Sequence, residues 1–271
     1  MTEIREEKGR KKYYYTDELN DDFAGVDIKA KEIGSDYKYI NNNIFWRAAA
    51  FIVLRIIMQP VAYLYCKLKF GLRIVNRKIL KEYKNTGYFV FGNHTQIPGD
   101  GYFPVLTNFP KKTHFIVNPD NVSTKGTEQL MLMLGCMPLP STIDGMKNFM
   151  GAIKQRLDEK KCIMVYPEAH IWPYYTKIRD FPSTSFKLPV KYNVPSFCVT
   201  TTYHKRKHRR TPQITIYVDG PYLPKQELSA RANRDYLRDS VYKTMCERAR
   251  LSDTQVIDYI RVKENEVENN D

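Results

Sequence analysis

From residue 87 onward the chain is punctuated by short, nearly continuous apolar runs, and this alternation restricts the possible folds more than any other feature. YFVFG (88–92), THFIVN (113–118), CIMVYP (162–167), SFCVTTTY (196–203) and ITIYVDG (214–220) are rich in β-branched and aromatic residues and too short for helices. Between them, EQLMLMLG (128–135) and MKNFMGAIKQRLDEKK (146–161) carry helical spacing. Met146, Phe149, Met150, Ile153 and Leu157 recur on one face, which predicts a core-packing surface. A further helix is predicted over about residues 227 to 249, with Leu237, Val241 and Met245 on one side. Strands apolar on both faces, alternating with helices, predict an α/β fold with a mixed, largely parallel sheet covered by helices. In such sheets ligands bind outside the carboxyl ends of the strands. Two polar clusters fall at such ends, GNHTQIPGD after 88–92 and PEAH after 162–167. There is no internal repeat.

WRAAAFIVLRIIMQPVAYLYCKLKFG (46–71) stands apart from its surroundings. It is apolar enough to resemble a membrane span, yet Arg55, Gln59 and Pro60 sit in its middle. A charge at the bilayer centre costs roughly 2.5–3.5 kcal/mol even on lenient insertion scales. Arg47, Arg55 and Gln59 share a sector of about 120° on a helical wheel. The pattern predicts a helix lying in the membrane interface, broken near Pro60 and flanked by Lys67, Lys69 and Arg73 facing anionic head groups. A core helix of a soluble domain and a bitopic span are the competing readings.

A net charge of +13 over 271 residues points to a polyanionic neighbour. An anionic membrane surface, an acidic protein and nucleic acid all qualify on charge alone. HKRKHRR (204–210) is the densest basic run and is read as a loop after the 196–203 strand; no aromatic platform accompanies it, so nucleic acid is the least favoured partner. Cys66, Cys136, Cys162, Cys198 and Cys246 are spread singly, without zinc-ligand spacing, and read as reduced thiols in a cytosolic compartment. No metal or bound cofactor is expected. MTEIREEKGRKKYYYTDELNDD is too charged for a signal peptide. Residues 1–44 read as a polar lead segment, flexible or loosely docked, and KENEVENND as a disordered tail.

Ile97-Pro98-Gly99-Asp100 fits a type II turn, with glycine at the position that needs positive φ. Such a turn folds the Asp100 carboxylate back towards His94. An imidazole, with an ordinary pKa of about 6.5, is suited to take a proton from a hydroxyl, and a carboxylate on its other nitrogen fixes tautomer and orientation. Asn93 and the Gly92 amide are placed to buttress the loop. By itself the pattern also fits an ordinary turn containing a histidine.

GNHTQIPGD resembles the first motif of the glycerolipid acyltransferase family, the lysophosphatidate and glycerol-3-phosphate acyltransferases. YPEAH (166–170) resembles that family's F-P-E-G-T-R motif, and SFKLPVKYNVPSFCVT (185–200) its FK…A…VPIVPV segment. The apolar element ahead of the first motif lies where bacterial members dock on the bilayer. The resemblance covers roughly residues 45 to 205. It implies a peripheral or monotopic enzyme on the cytoplasmic face of the membrane, acylating 1-acylglycerol-3-phosphate to phosphatidate. The acyl donor would be acyl-CoA or acyl-carrier protein. His94 would be the general base, Asp100 its orienting partner, and Glu168 an organiser of the site and of the acceptor's polar end through hydrogen bonds, with Asn93 also a candidate for substrate binding. No acyl-enzyme is required, and no G-x-S-x-G elbow is present. The implied organisation is a lead segment (1–44), interfacial helices (45–80), an acyltransferase domain (81–255) and a tail (256–271).

The chain departs from the family pattern in four places. Five residues separate His94 from Asp100, one more than the family spacing, and the Pro-Gly turn is expected to absorb it. Ala169-His170-Ile171 stands where the family has G-T-R, so the arginine that holds the acceptor's phosphate is missing. GCMPLPST lacks the arginine that usually ends the second motif, and Asn118 replaces a common lysine. Lys177, Arg179, Lys187 and His170 are the nearest replacement donors. Trp172, Tyr174 and Tyr175 are placed either to wall the pocket or to pack. Another lysolipid or alcohol as acceptor, or a non-catalytic lipid- or nucleic-acid-binding protein, are the alternative functions.

Overall fold

The computed structural model describes residues 3–7, 10–25 and 28–262. Strands β1 (Glu3–Glu7) and β2 (Arg10–Tyr15) precede helices α1 (Ile44–Phe51) and α2 (Gln59–Phe70), strand β3 (Arg73–Val75) and the short helix α3 (Ile79–Glu82). Next come β4 (Tyr88–Gly92), α4 (Gly99–Thr107), β5 (Thr113–Val117), α5 (Glu128–Leu134), β6 (Cys136–Pro138), α6 (Ile143–Asp158) and β7 (Cys162–Val165). The chain continues through α7 (Lys187–Tyr192), β8 (Ser196–Arg206), β9 (Arg209–Tyr222), α8 (Ala230–Ala249) and β10 (Ile257–Arg261).

The main sheet has seven strands in the order β3-β9-β8-β4-β7-β5-β6. Every pairing is parallel except β8 with β9, as expected of a mixed, largely parallel sheet. Central β4 shows why its sequence is apolar throughout. Phe89 and Phe91 pack on one face with Phe149, Ile153, Leu237, Val241 and Met245 of α6 and α8. Tyr88 and Val90 pack on the other with Cys66 and Phe70 of α2 and Phe103 and Leu106 of α4. A strand covered on both sides has no place for the polar half of an alternating pattern.

The segment 44–70 is one continuous helical run. Residues Ile52–Met58 are π-helical and run directly into α2, whose second residue is Pro60. The expected break at Pro60 is therefore absorbed by wider helical winding. Two of the three residues of the polar stripe, Arg55 and Gln59, also face the opposite way to expectation, while Arg47 is exposed. Arg55 Nη1 donates to Gln59 Oε1 at 2.8 Å, Arg55 Nη2 donates to the Pro110 carbonyl, and Gln59 is buried against α4. Phe51, Ile52, Ile56, Ile57, Val61, Leu64 and Leu68 are exposed instead. By length and composition the run can cross a membrane, though no membrane is required to explain its docked polar face. The long helical run ends at Phe70, short of the expected boundary at residue 80, since Arg73–Val75 is already a strand of the main sheet.

The lead segment is not loose. β2 pairs antiparallel with β1 and parallel with β10, joining both ends of the chain in a second, three-stranded sheet. Beyond it, Ile33 is fully buried and Tyr37 and Tyr39 enter the α6-side core. The first part of the expected tail is thus strand β10; the rest, KENEVENND, lies outside the described residues. Charge in 1–44 hid a burial pattern carried by few aromatic and aliphatic side chains.

Candidate active site

β4 and β7 are adjacent and parallel, with Phe91 opposite Val165, so the loops leaving their carboxyl ends lie side by side. This brings His94 and Glu168 together across 74 residues of sequence. His94 Nδ1 lies 2.7 Å from Asp100 Oδ2, and the Gln96 amide donates to the same oxygen at 2.9 Å. Asp100 is buried in the first turn of α4, where an anion also meets the helix's positive end. With a carboxylate accepting at Nδ1, the ring proton is held there and the Nε2 lone pair is left to take another.

The turn that closes this pair is not type II. Gly99 opens α4 and has no positive φ. Glycine is required there for room, because a Cβ would come within 2.4 Å of Phe103 Cζ and 2.5 Å of Gln96 Cγ. Residues 93–98 form a loop that runs straight into α4.

Two residues that the sequence did not mark complete the imidazole's setting. Tyr166 stacks on His94, with ring centroids 4.5 Å apart and planes at 16°, and its hydroxyl donates to the Asp100 carbonyl at 2.5 Å. Tyr203 bonds Thr95 through its hydroxyl, donating to the carbonyl at 3.0 Å. The available signal was positional: each tyrosine sits at or near the end of a strand flanking β4.

Asn93, a candidate for substrate binding, does not line the cavity. Its side chain is buried and bridges to β8, accepting from the Thr201 amide at 2.8 Å and donating to the Thr201 carbonyl at 3.1 Å. It buttresses the loop. Arg179 is likewise not a free phosphate ligand. It is buried, with Nη2 3.4 Å from Glu168 Oε2, donates to the carbonyls of His170 and Glu18, and lies over the Trp172 ring. Glu168 in turn accepts from the His94 amide and the Arg179 amide, both at 3.1 Å. Burial pushes the Glu168 carboxyl above its ordinary value, while Arg179 and the two amides pull part of the way back. Glu168 therefore joins the His94 loop to the 168–179 loop.

His170 lines the cavity and pairs with Asp22 at 3.2 Å. Lys187 lines it as well and is exposed. Lys177 is exposed and away from the cavity wall. Trp172, Tyr174 and Tyr175 pack in an aromatic cluster with Tyr13, Phe23 and Tyr259 rather than walling the pocket. The lead segment contributes here too: the Phe23 amide donates to the Ile171 carbonyl, Trp172 Nε1 donates to the Asp21 carbonyl, and Leu19 and Asn20 reach the cavity.

The cavity has a volume of about 1050 Å³. One side is apolar, with Leu54 and Met58 from the long helical run, Val105, Phe115, Met131 and Phe149. Another carries Thr184, Ser185, Lys187 and Lys191. Cys136 lines it, but burial pushes that thiol up to about 11, the opposite of activation. Among the described residues no group of His, Cys, Asp and Glu is placed to hold a metal ion. An oriented imidazole at the edge of a long apolar space can deprotonate a hydroxyl beside a bound aliphatic chain.

Ala169 occupies the glycine position of the resembling motif with φ of +63°. A side chain in the left-handed region costs roughly 1–2 kcal/mol. Ala169→Gly is expected to raise stability by about 1 kcal/mol at most, since glycine's greater freedom when unfolded offsets part of the relief. Denaturant unfolding of the two proteins measures it.

No family model matches the chain, and no curated protein matches it in sequence. In structure it is similar to the 1-acyl-sn-glycerophosphate (LPA) acyltransferase of Thermotoga maritima, with a TM-score of 0.56. That similarity covers 80% of this chain and 87% of the other at 17% identity. It is a likeness of fold: a mostly parallel central sheet flanked by helices.

Proposed function

We propose that the protein is an O-acyltransferase that moves a fatty acyl group from a thioester, acyl-CoA or acyl-carrier protein, to the free hydroxyl of 1-acylglycerol-3-phosphate. The observation that carries this reading is the His94–Asp100 pair, 2.7 Å apart, opening on a large cavity with an apolar side. The fold likeness to a lysophosphatidate acyltransferase supports it. In the reaction His94 Nε2 takes the acceptor's hydroxyl proton as its oxygen attacks the thioester carbonyl. The tetrahedral species collapses with loss of the C–S bond, and the thiolate receives the proton from the imidazolium. Asp100 stabilises that imidazolium; Tyr166 and Glu168 hold the ring and its loop. The exposed apolar row of 51–68 is the face such an enzyme would lay against lipid, on the cytoplasmic side.

The test is transfer of a labelled acyl group from thioester to lysophosphatidate in detergent micelles by the purified protein. Absence of transfer to any lysolipid would sink the reading. The burial of Arg179 favours one second reading, an acceptor without phosphate. Lys187 and Lys191 separate the two, because they are the exposed lysines on the cavity wall. Lys187→Gln with Lys191→Gln is expected to raise KM for lysophosphatidate roughly tenfold. KM for monoacylglycerol should stay constant. Equal effects on both acceptors would favour the phosphate-free substrate.

A further inference from the structure

The HKRKHRR run is not the solvated loop that its composition suggests. β8 and β9 extend well past the end of β4, with His204 opposite Gln213 and Arg206 opposite Arg209, so Lys207 and His208 form the tip of a hairpin. The hairpin is attached to the C-terminal end of α2. Arg206 Nη1 donates to the Lys69 carbonyl at 2.8 Å, and Gln213 Nε2 donates to the Gly71 carbonyl at 3.1 Å. Gly71 makes the junction possible. It ends α2 at φ +57°, and a Cβ there would sit 3.3 Å from Gln213 Nε2 and 3.5 Å from Arg206 Cζ.

This attachment creates one composite surface. Lys205, Lys207, Arg209 and Arg210 on the hairpin are exposed, as are Lys67, Lys69 and Arg73 at the helix end. Asp253 is occupied at the hairpin's base, accepting from the Lys205 amide and pairing with His204. Lys207, Arg209 and Arg210 have no carboxylate partner among the described residues. The helix whose end carries this cluster bears exposed apolar side chains at helical spacing, Val61, Leu64 and Leu68, with Ile57 exposed in the turn before it.

We infer that the 205–210 hairpin is a lipid-charge sensor: it and the outward row of α2 dock together on an anionic bilayer, cations on head groups and aliphatic side chains below them. The apolar row selects this occupant. Nucleic acid or an acidic protein would satisfy the cations while leaving Val61, Leu64 and Leu68 in water, whereas a bilayer takes both. A hairpin held by strand pairing presents its charges at a lower ordering cost than an unpaired loop. The inference concerns binding and stands whether or not the protein transfers acyl groups.

The experiment is flotation of the full-length protein with vesicles of phosphatidylcholine alone and of phosphatidylcholine mixed equally with phosphatidylglycerol. The wild type should favour the anionic vesicles, with affinity falling as salt is raised. Arg209→Gln with Arg210→Gln should lower anionic-vesicle binding by about tenfold. Arg231→Gln with Lys243→Gln removes the same charge from exposed positions of α8 and should leave binding nearly unchanged. Unfolding temperatures of both double variants check that the fold is retained. Equal losses from the two variants would overturn the inference, because net charge alone would then be acting. So would tighter binding to duplex DNA than to anionic vesicles at equal salt, or equal binding to neutral and anionic vesicles.

Discussion

Replacing His94 by alanine is expected to lower acyl transfer by about 10²- to 10⁴-fold, while the protein folds and binds vesicles as before. The imidazole is partly exposed at the cavity edge, so its removal opens no void in the core. Its Nδ1 is held by Asp100, and its amide is held independently by Glu168, so the loop survives loss of the ring. The effect should fall on kcat, because the base acts on the hydroxyl only as the new bond forms. Asp100→Asn should also depress kcat, since an amide nitrogen facing Nδ1 no longer fixes the productive tautomer. A normal turnover number in His94→Ala would remove the general base from the mechanism.

Arg179→Ala is expected to destabilise the protein by about 3–5 kcal/mol, because it strands the Glu168 carboxylate in a fully enclosed site. Both side chains are almost entirely buried, which is where breaking one half of an ion pair costs most. The change also removes the guanidinium from the Trp172 ring and from the carbonyls of Glu18 and His170. A fall in Tm of roughly 10 °C is the thermal equivalent. Pairing Arg179→Met with Glu168→Gln should recover part of the loss, since neither buried charge then lacks a partner. If Arg179→Ala unfolds like the wild type, the pair is not structural, and Arg179 returns as a candidate for the acceptor's phosphate.

The same arginine illustrates the limit of reading a site in one dimension. From residue types alone, His170, Lys177, Arg179 and Lys187 are equivalent donors near a motif that lacks its own. Their differences arise from what lies opposite each one. His170 meets Asp22, Arg179 meets Glu168, Lys177 is exposed, and Lys187 stands on the cavity wall. Tyr166 was overlooked for a related reason. A tyrosine before Pro-Glu carries no local signal, and its stacking on His94 exists only because β7 pairs with β4.

Local chemistry determined five of the seven strands of the main sheet, the amphipathic α6 and α8, and the placement of His94 and Glu168 at strand ends; β3 and β6 were too short to register. These follow from periodicity and short-range geometry, which the residues carry with them. Tertiary structure alone decided the rest. It turned Arg55 and Gln59 of the long helix inward, because they find carbonyls on α4 and the segment after it that water would otherwise replace. It tied the charged lead segment to β10 and over the 168–179 loop. It also fixed the basic hairpin against the end of α2, through contacts far away in sequence. In each case the deciding partner is remote in the chain, so no window along the sequence contains both halves of the interaction.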